Sequence, residues 1–406
     1  MEHLHADLVR PIAWTYVNAL RGAGIVPDTF EGLTMPSPGD AVYDLSGEVL
    51  FHRVPLERAD GARRAFADIA VHPALGHPFL AASEGVWSGR DAVRSAIAEA
   101  RVRGVEFDSV RVVAYSYPKL AAQFLRNGDE VLMLELFTNE PVPREPARGD
   151  HPGNFQRWSL LESIGDKAET NARLYDTHVG ELQSWLTRTI PTNGHMPHEG
   201  PGAALAESAR LESVLARANL QVSSSLEWTQ LLFSNSNELH YSLRSSDHHP
   251  CYELRGQATS VWCVAASVQM MFDFYRYGFS QDDIAAGLGL GTRTAPQGLP
   301  YGDEYKVVDQ LQVCTGNALT AAQNSSPTFA QFETEIDANR PCISFIPGHS
   351  RSVAGYYWTI LPFGTGPHRG LLVYDPWPPN AGVITRYENF DAQTYRDTFT
   401  AHVTLH

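Results

Sequence analysis

Gln257-Ala258-Thr259-Ser260-Val261-Trp262-Cys263-Val264-Ala265-Ala266-Ser267-Val268-Gln269-Met270-Met271 is the stretch whose reading decides the fold. Small residues surround Cys263. Beyond it Val264, Val268, Met271 and Phe272 recur at helical spacing, and the apolar pattern runs on to Gly278. This predicts a buried helix with Cys263 at its N-terminal end. The first amides of a helix have no intrahelical acceptors, and the macrodipole puts partial positive charge there. A thiolate in that position is stabilised and its pKa falls. The same free N–H groups can hold an oxyanion, and Gln257, six residues earlier, offers a side-chain amide as a second donor. Taken alone, the box also reads as a small core cysteine at a helix start, a common place for cysteine. A partner histidine has to decide.

Working outward, His349 is the candidate. Arg340-Pro341-Cys342-Ile343-Ser344-Phe345-Ile346-Pro347-Gly348 precedes it and Ser350-Arg351-Ser352-Val353-Ala354-Gly355-Tyr356-Tyr357-Trp358 follows. The pattern is strand, Pro-Gly turn, histidine, strand, with the histidine expected to be exposed on a rigid edge. Further on, Asp375 ends the apolar run Gly370-Leu371-Leu372-Val373-Tyr374 and precedes Pro376-Trp377. If the two strands are neighbours, its carboxylate can accept the second N–H of the imidazole and fix its tautomer. On its own, an aspartate before proline also reads as a turn residue.

Together these motifs resemble the papain-like cysteine peptidase superfamily over residues 240–406. The likeness is to the short bacterial branch with a Trp-Cys-x-Ala-Ala box, which includes staphopain-like and plant-pathogen effector peptidases. The order Gln257, Cys263, His349, Asp375 is that family's order. The resemblance implies that Gln257 and the Cys263 amide form the oxyanion hole, Cys263 attacks the carbonyl, His349 moves the proton and Asp375 orients it. It implies a peptide or protein substrate and no cofactor. Two departures stand out. Ser350-Arg351-Ser352 follows the histidine, where the family usually carries apolar residues, and the acid is aspartate where papain itself has asparagine. The alternatives left open are a catalytically silent binding or effector protein and a transamidase using the same thioester.

The rest of the chain bounds these readings. A length of 406 residues favours two domains, and 43% apolar with 19% charged residues is the balance of an ordered globular protein. A net charge of −15 argues against nucleic acid and anionic membranes as partners. No apolar run approaches the ~18 residues of a membrane helix. The start lacks a basic n-region and apolar h-region, so a cytoplasmic product without a signal peptide is expected, with signal-independent export left open. The four cysteines, Cys251, Cys263, Cys314 and Cys342, form no Cys-x-x-Cys pair, so a zinc ribbon is not expected. Cys314 and Cys342 are read as core residues. His248-His249-Pro250-Cys251 and His195-Met196-Pro197-His198-Glu199 are read as loops without metal. Asp273 and Asp282-Asp283 are read as surface or capping residues.

The expected fold class is α+β: a C-terminal papain-like domain, its nucleophile helix packed on an antiparallel sheet, preceded by a separate α+β N-terminal domain. The domains are placed at residues 1–190, 191–238 (a linker with a helix at Ala203–Ala218, before Ser223-Ser224-Ser225) and 239–406. The linker signal is Pro191-Thr192-Asn193-Gly194 through Gly202. Within the N-terminal domain the pattern predicts helices at Ala6–Ala23, Ala92–Arg103 and Ala168–Thr187. Strands are expected at Val49–Val54, Ala65–Val71, Val110–Tyr117 and Val131–Phe137, with Pro118 limiting the third to an edge or ending it. Position and the proline-glycine linker suggest that residues 1–190 act as an intramolecular inhibitor, making the chain a zymogen. A targeting or substrate-binding module is the plainer alternative.

Overall fold

The structure is a computed structural model. It describes residues 8–27, 39–58, 63–85, 87–143, 157–189, 234–239, 252–361 and 366–404, with single positions elsewhere between 4 and 35 and at 363. The expected linker, the Ala203–Ala218 helix, Ser223–Ser225, His195–Glu199 and His248–Cys251 lie outside these residues.

The N-terminal region contains α1 (Val9–Gly22), β1 (Asp40–Tyr43), β2 (Val49–Glu57), β3 (Arg63–Ala70), β4 (Phe79–Glu84) and α2 (Gly89–Val102). There follow β5 (Ser109–Ser116), β6 (Lys119–Arg126), β7 (Asp129–Glu135), α3 (Leu160–Ile164) and α4 (Ala168–Thr189). The C-terminal region begins with β8 (Ser234–Glu238), α5 (Cys263–Phe274), α6 (Gln281–Leu288), β9 (Gly291–Thr292) and β10 (Ala295–Pro296). It continues with α7 (Lys306–Cys314), β11 (Leu319–Asn324), α8 (Phe329–Asp337) and β12 (Cys342–Ile346). It ends with β13 (His349–Ile360), β14 (Pro367–Asp375), β15 (Val383–Asn389) and β16 (Asp397–Val403).

The class is α+β. Fourteen described strands form one sheet in the order β11-β16-β12-β13-β14-β15-β4-β3-β2-β1-β5-β6-β7, with β8 also paired to β13. Its ladders are antiparallel except where β1 meets β5 at Tyr43 opposite Val113. The C-terminal strands carry the helix expected from the cysteine box. α5 is sunk almost all round: Val264, Ala265, Val268, Met271 and Phe272 are buried among residues of α6, α7, β11, β12 and β16. α6 starts on a capping box between Ser280 and Asp283 and stops at Gly289 in the left-handed conformation, local signals that fix both ends.

The two regions meet along β15 and β4, where Thr385 opposes Ser83 and Glu388 opposes Ala81. Side chains reinforce that seam. The Ser83 and Thr385 hydroxyls are 3.0 Å apart, Arg386 Nε donates to Glu84 Oε1 at 2.6 Å, and Asn389 Nδ2 donates to the Phe79 carbonyl at 3.0 Å. One apolar cluster spans both regions, uniting Ile12, Tyr16 and Leu20 of α1 with Tyr357, Leu372 and Tyr387. The N-terminal helices and strands fall within a few residues of their expected bounds. The segment after Pro118 differs. The chain turns at Tyr117-Pro118 and returns as β6, which lies between β5 and β7 and pairs with both. Proline sits here in a hairpin turn, where no ladder hydrogen bond is asked of it.

Candidate active site

Cys263 is the first residue of α5, with Trp262 at the N-cap and no side chain taking up the first-turn amides. Trp262 is itself fixed by burial and by its indole N–H, which donates to the Leu290 carbonyl at 2.9 Å. The thiol is therefore held rigidly at the positive end of a helix. β12 and β13 form a hairpin in which Ile346 opposes His349, and Gly348 has φ +71° to close the turn. β13 and β14 are neighbours. His349 Nε2 consequently lies 2.7 Å from Asp375 Oδ1, and the same oxygen accepts the backbone N–H of Trp377 at 2.8 Å.

The other imidazole nitrogen, Nδ1, is buried and has no completed hydrogen bond. The ring still acts on the Cys263 sulfur. Burial raises the pKa of that thiol, but the Lys119 ammonium, His349 and the Ser350 backbone amide together outweigh burial and bring it down to about 7. Cys342 and Cys314 behave oppositely. Burial pushes both thiols up, so Cys263 alone of the three is poised to ionise near neutrality.

Cys263, His349 and Asp375 are thus brought together. Gln257 lies behind them, fully buried, its backbone N–H given to the Pro376 carbonyl at 2.9 Å and its Nε2 to the Thr259 carbonyl at 2.7 Å. Nε2 has a second hydrogen, but Gln257 is not among the residues that line the cleft.

Several expectations need correction. His349 is not exposed on an edge: it is buried, because the tip of the β5–β6 hairpin and Trp158 lie over the β12–β13 turn. Ser116 Oγ donates to the Pro347 carbonyl at 3.1 Å, and Lys119 Nζ to the Gly348 carbonyl at 3.1 Å. Arg351, the unexpected cation next to the histidine, turns away into a buried ion pair with Glu388, which Tyr395 also contacts at 2.7 Å. Asp273 is not on the surface: it is buried and bound to Arg255 Nε at 2.8 Å. Cys314 is only half-buried at the end of α7. The aromatic rings that line the cleft are those of Trp158, Tyr301 and Phe345.

The cleft joins Cys263 and His349 to Lys119 and Trp158 from the N-terminal region and to Glu304 and Arg396, the latter over the Trp158 ring. Lys119 and Trp158 were not found by sequence reasoning. The only local sign was a lysine beside the Tyr115-Ser116-Tyr117-Pro118 turn in a chain with three lysines.

The helix headed by Cys263, packed on an antiparallel-rich sheet, gives the C-terminal region a papain-like fold. In agreement, residues 248–403 match the family described as Peptidase_C39 like family. A solved structure described as UfSP from C. elegans is similar at 11% identity, over 43% of this chain and 38% of that one, with a TM-score of 0.23. No curated protein matches the chain. Among the described residues no helix is long and apolar enough to cross a membrane.

Proposed function

We propose that this protein is a cysteine peptidase acting on peptide or protein substrates, with Cys263 as nucleophile, His349 as acid–base and Asp375 as the group that orients it. The observation that carries this reading is the imidazole bound to Asp375 at 2.7 Å while lowering the pKa of a thiol that rests at about 7. In the reaction, Sγ attacks the substrate carbonyl carbon. The oxyanion is held by the Cys263 backbone N–H, and Gln257 joins as second donor if its side chain turns from the Thr259 carbonyl toward the cleft. The C–N bond then breaks as His349 gives a proton to the leaving amine. Water, deprotonated by His349, cleaves the thioester and regenerates the thiol. The cysteine box supports a Trp-Cys branch of the class.

In the same reading, residues 1–190 regulate the peptidase domain at 239–406 by covering its cleft. Trp158 and the β5–β6 tip narrow the approach to Cys263 and His349. Because β4 is laddered to β15, opening is a local movement of Trp158 rather than the departure of a domain.

Turnover of a fluorogenic peptide library by the full chain tests both parts. Cys263→Ala is expected to abolish hydrolysis while Cys314→Ala retains it, and activity surviving the first change would sink the assignment. Trp158→Ala is expected to raise kcat/KM by roughly tenfold, the effect of about 1.4 kcal/mol on the barrier to productive binding. An unchanged or lower value would remove the covering role.

A further inference from the structure

Lys119 is one of only three lysines in the chain, and it is buried, whereas Lys167 and Lys306 reach solvent. Taking an ammonium out of water is costly unless an anion or several acceptors compensate it. The hydrogen bond it makes is to a neutral acceptor, the Gly348 carbonyl, at 3.1 Å. Among the described residues it forms no ion pair with a carboxylate. It lines the same cleft as Cys263 and His349. The hairpin that delivers it is locked onto the catalytic turn: Ser116 holds the Pro347 carbonyl, and a Cβ on Gly348 would overlap Ser116 and Trp158. Position and burial of this cation make sense if a negative charge stands in the cleft beside it.

We propose that Lys119, carried into the cleft by the N-terminal region, is the positioning residue whose charge holds Cys263 as a thiolate. This inference rests on the cysteine peptidase reading but addresses a step before any peptide is bound. Of the groups around the sulfur, its effect in lowering the thiol pKa precedes those of His349 and the Ser350 amide. Tyr115, buried on β5, also feels the charge of Cys263 but is neutral near pH 7, because burial, Glu135, the thiolate and Glu140 all raise its pKa. Arg396 is paired with Glu304 at 3.8 Å and lies over the Tyr301 and Trp158 rings. His349 is engaged by Asp375. Lys119 is therefore the cation of the cleft that has no carboxylate partner among the described residues. It follows that the N-terminal region both covers the cleft and tunes its nucleophile, which an added inhibitory segment has no reason to do.

The test is the pH dependence of Cys263 alkylation by iodoacetamide in the full chain, with the modified residue identified by peptide mass spectrometry. Wild type is expected to titrate near 7. Lys119→Gln keeps an N–H for the Gly348 carbonyl but removes the charge, and is expected to move the midpoint up by about one unit, slowing alkylation at pH 6 about tenfold. Lys119→Arg is expected to restore the wild-type profile. A Lys119→Gln profile that coincides with wild type overturns the proposal, as does an Arg variant that behaves like Gln. Thermal unfolding of each variant identifies a misfolded one, and Lys119→Met then serves as a second neutral variant under the same criterion. Alkylation requires no peptide cleavage. A chain that never hydrolyses peptides yet shows the shift loses the peptidase reading and keeps this one, whereas a hydrolase without the shift does the reverse.

Discussion

Asp375 Oδ1 accepts from two donors, the His349 ring and the Trp377 backbone amide, and that double duty predicts how its substitutions will differ. Asparagine retains a carbonyl oxygen for both bonds and loses only the charge that stabilises imidazolium. Alanine loses the oxygen and frees the ring to rotate. Asp375→Asn is therefore expected to keep kcat within about tenfold of wild type, while Asp375→Ala loses ~10²-fold or more, the scale of a mispositioned acid–base. Equal losses in steady-state kinetics would mean that charge, not orientation, is what the residue supplies. At this scale the sequence was readable where chemistry coincided with a local signal. Cys263 stood at the head of an apolar helical run, His349 after a Pro-Gly turn and Asp375 at a strand end. Lys119 was not readable, because its contact with Gly348 spans 229 residues and leaves no local pattern. Arg351 looked disruptive beside the histidine because the neutralising Glu388 is 37 residues further on.

The β12–β13 hairpin and the β5–β6 hairpin meet tip to tip, and Gly348 is where they touch. Its φ of +71° already disfavours any side chain. A Cβ would also press on Trp158 and Ser116, so Gly348→Ala must shift either the β12–β13 turn or the Trp158 and Ser116 side chains packed on it. Together these effects cost ~1–3 kcal/mol. The thermal midpoint is expected to fall by a few degrees, and proteolysis within residues 109–126 to accelerate as the cover loosens. A midpoint equal to wild type would mean that Trp158 yields freely and that the two tips are not tightly docked. Strands rich in β-branched and aromatic residues, such as β2 and β5, were evident from composition. β4, Phe79-Leu80-Ala81-Ala82-Ser83-Glu84, was not: its alanines have no strand preference, and only pairing on both sides makes it extended. For that reason the seam between the two regions escaped sequence reasoning, although the elements on either side of it did not.

At the scale of the whole molecule, the two regions share a sheet and a core, and that core contains three histidine rings. His77 precedes β4, His178 lies on α4 and His368 on β14. Their ring centroids are 4.4 Å (His77–His178), 5.4 Å (His77–His368) and 6.3 Å (His178–His368) apart, beside Tyr16 and Phe363. Burial and mutual repulsion lower His77 and His368, the latter to about 3, and burial lowers the half-buried His178 despite nearby Glu181 and Asp391. A histidine whose folded pKa is depressed binds fewer protons folded than unfolded. Stability therefore rises with pH between the folded value and about 6.5, and is lost on acidification through that window. Each ring kept neutral costs about 1.4 kcal/mol per pH unit below 6.5, so His368 alone removes roughly 2 kcal/mol between pH 6.5 and 5. Asp273, raised by burial to about 6, works in the opposite sense over part of the same range. A single stability curve would mix the two, whereas comparison with a variant isolates the ring. Urea unfolding of His368→Leu at pH 7.5 and pH 5 is expected to show a drop smaller than that of wild type by roughly 2 kcal/mol, whatever the variant's absolute stability. Parallel losses in the two proteins would mean that His368 takes up its proton without leaving the core. The shared interior would then tolerate acid, and the junction of the two regions would carry no sensitivity to it.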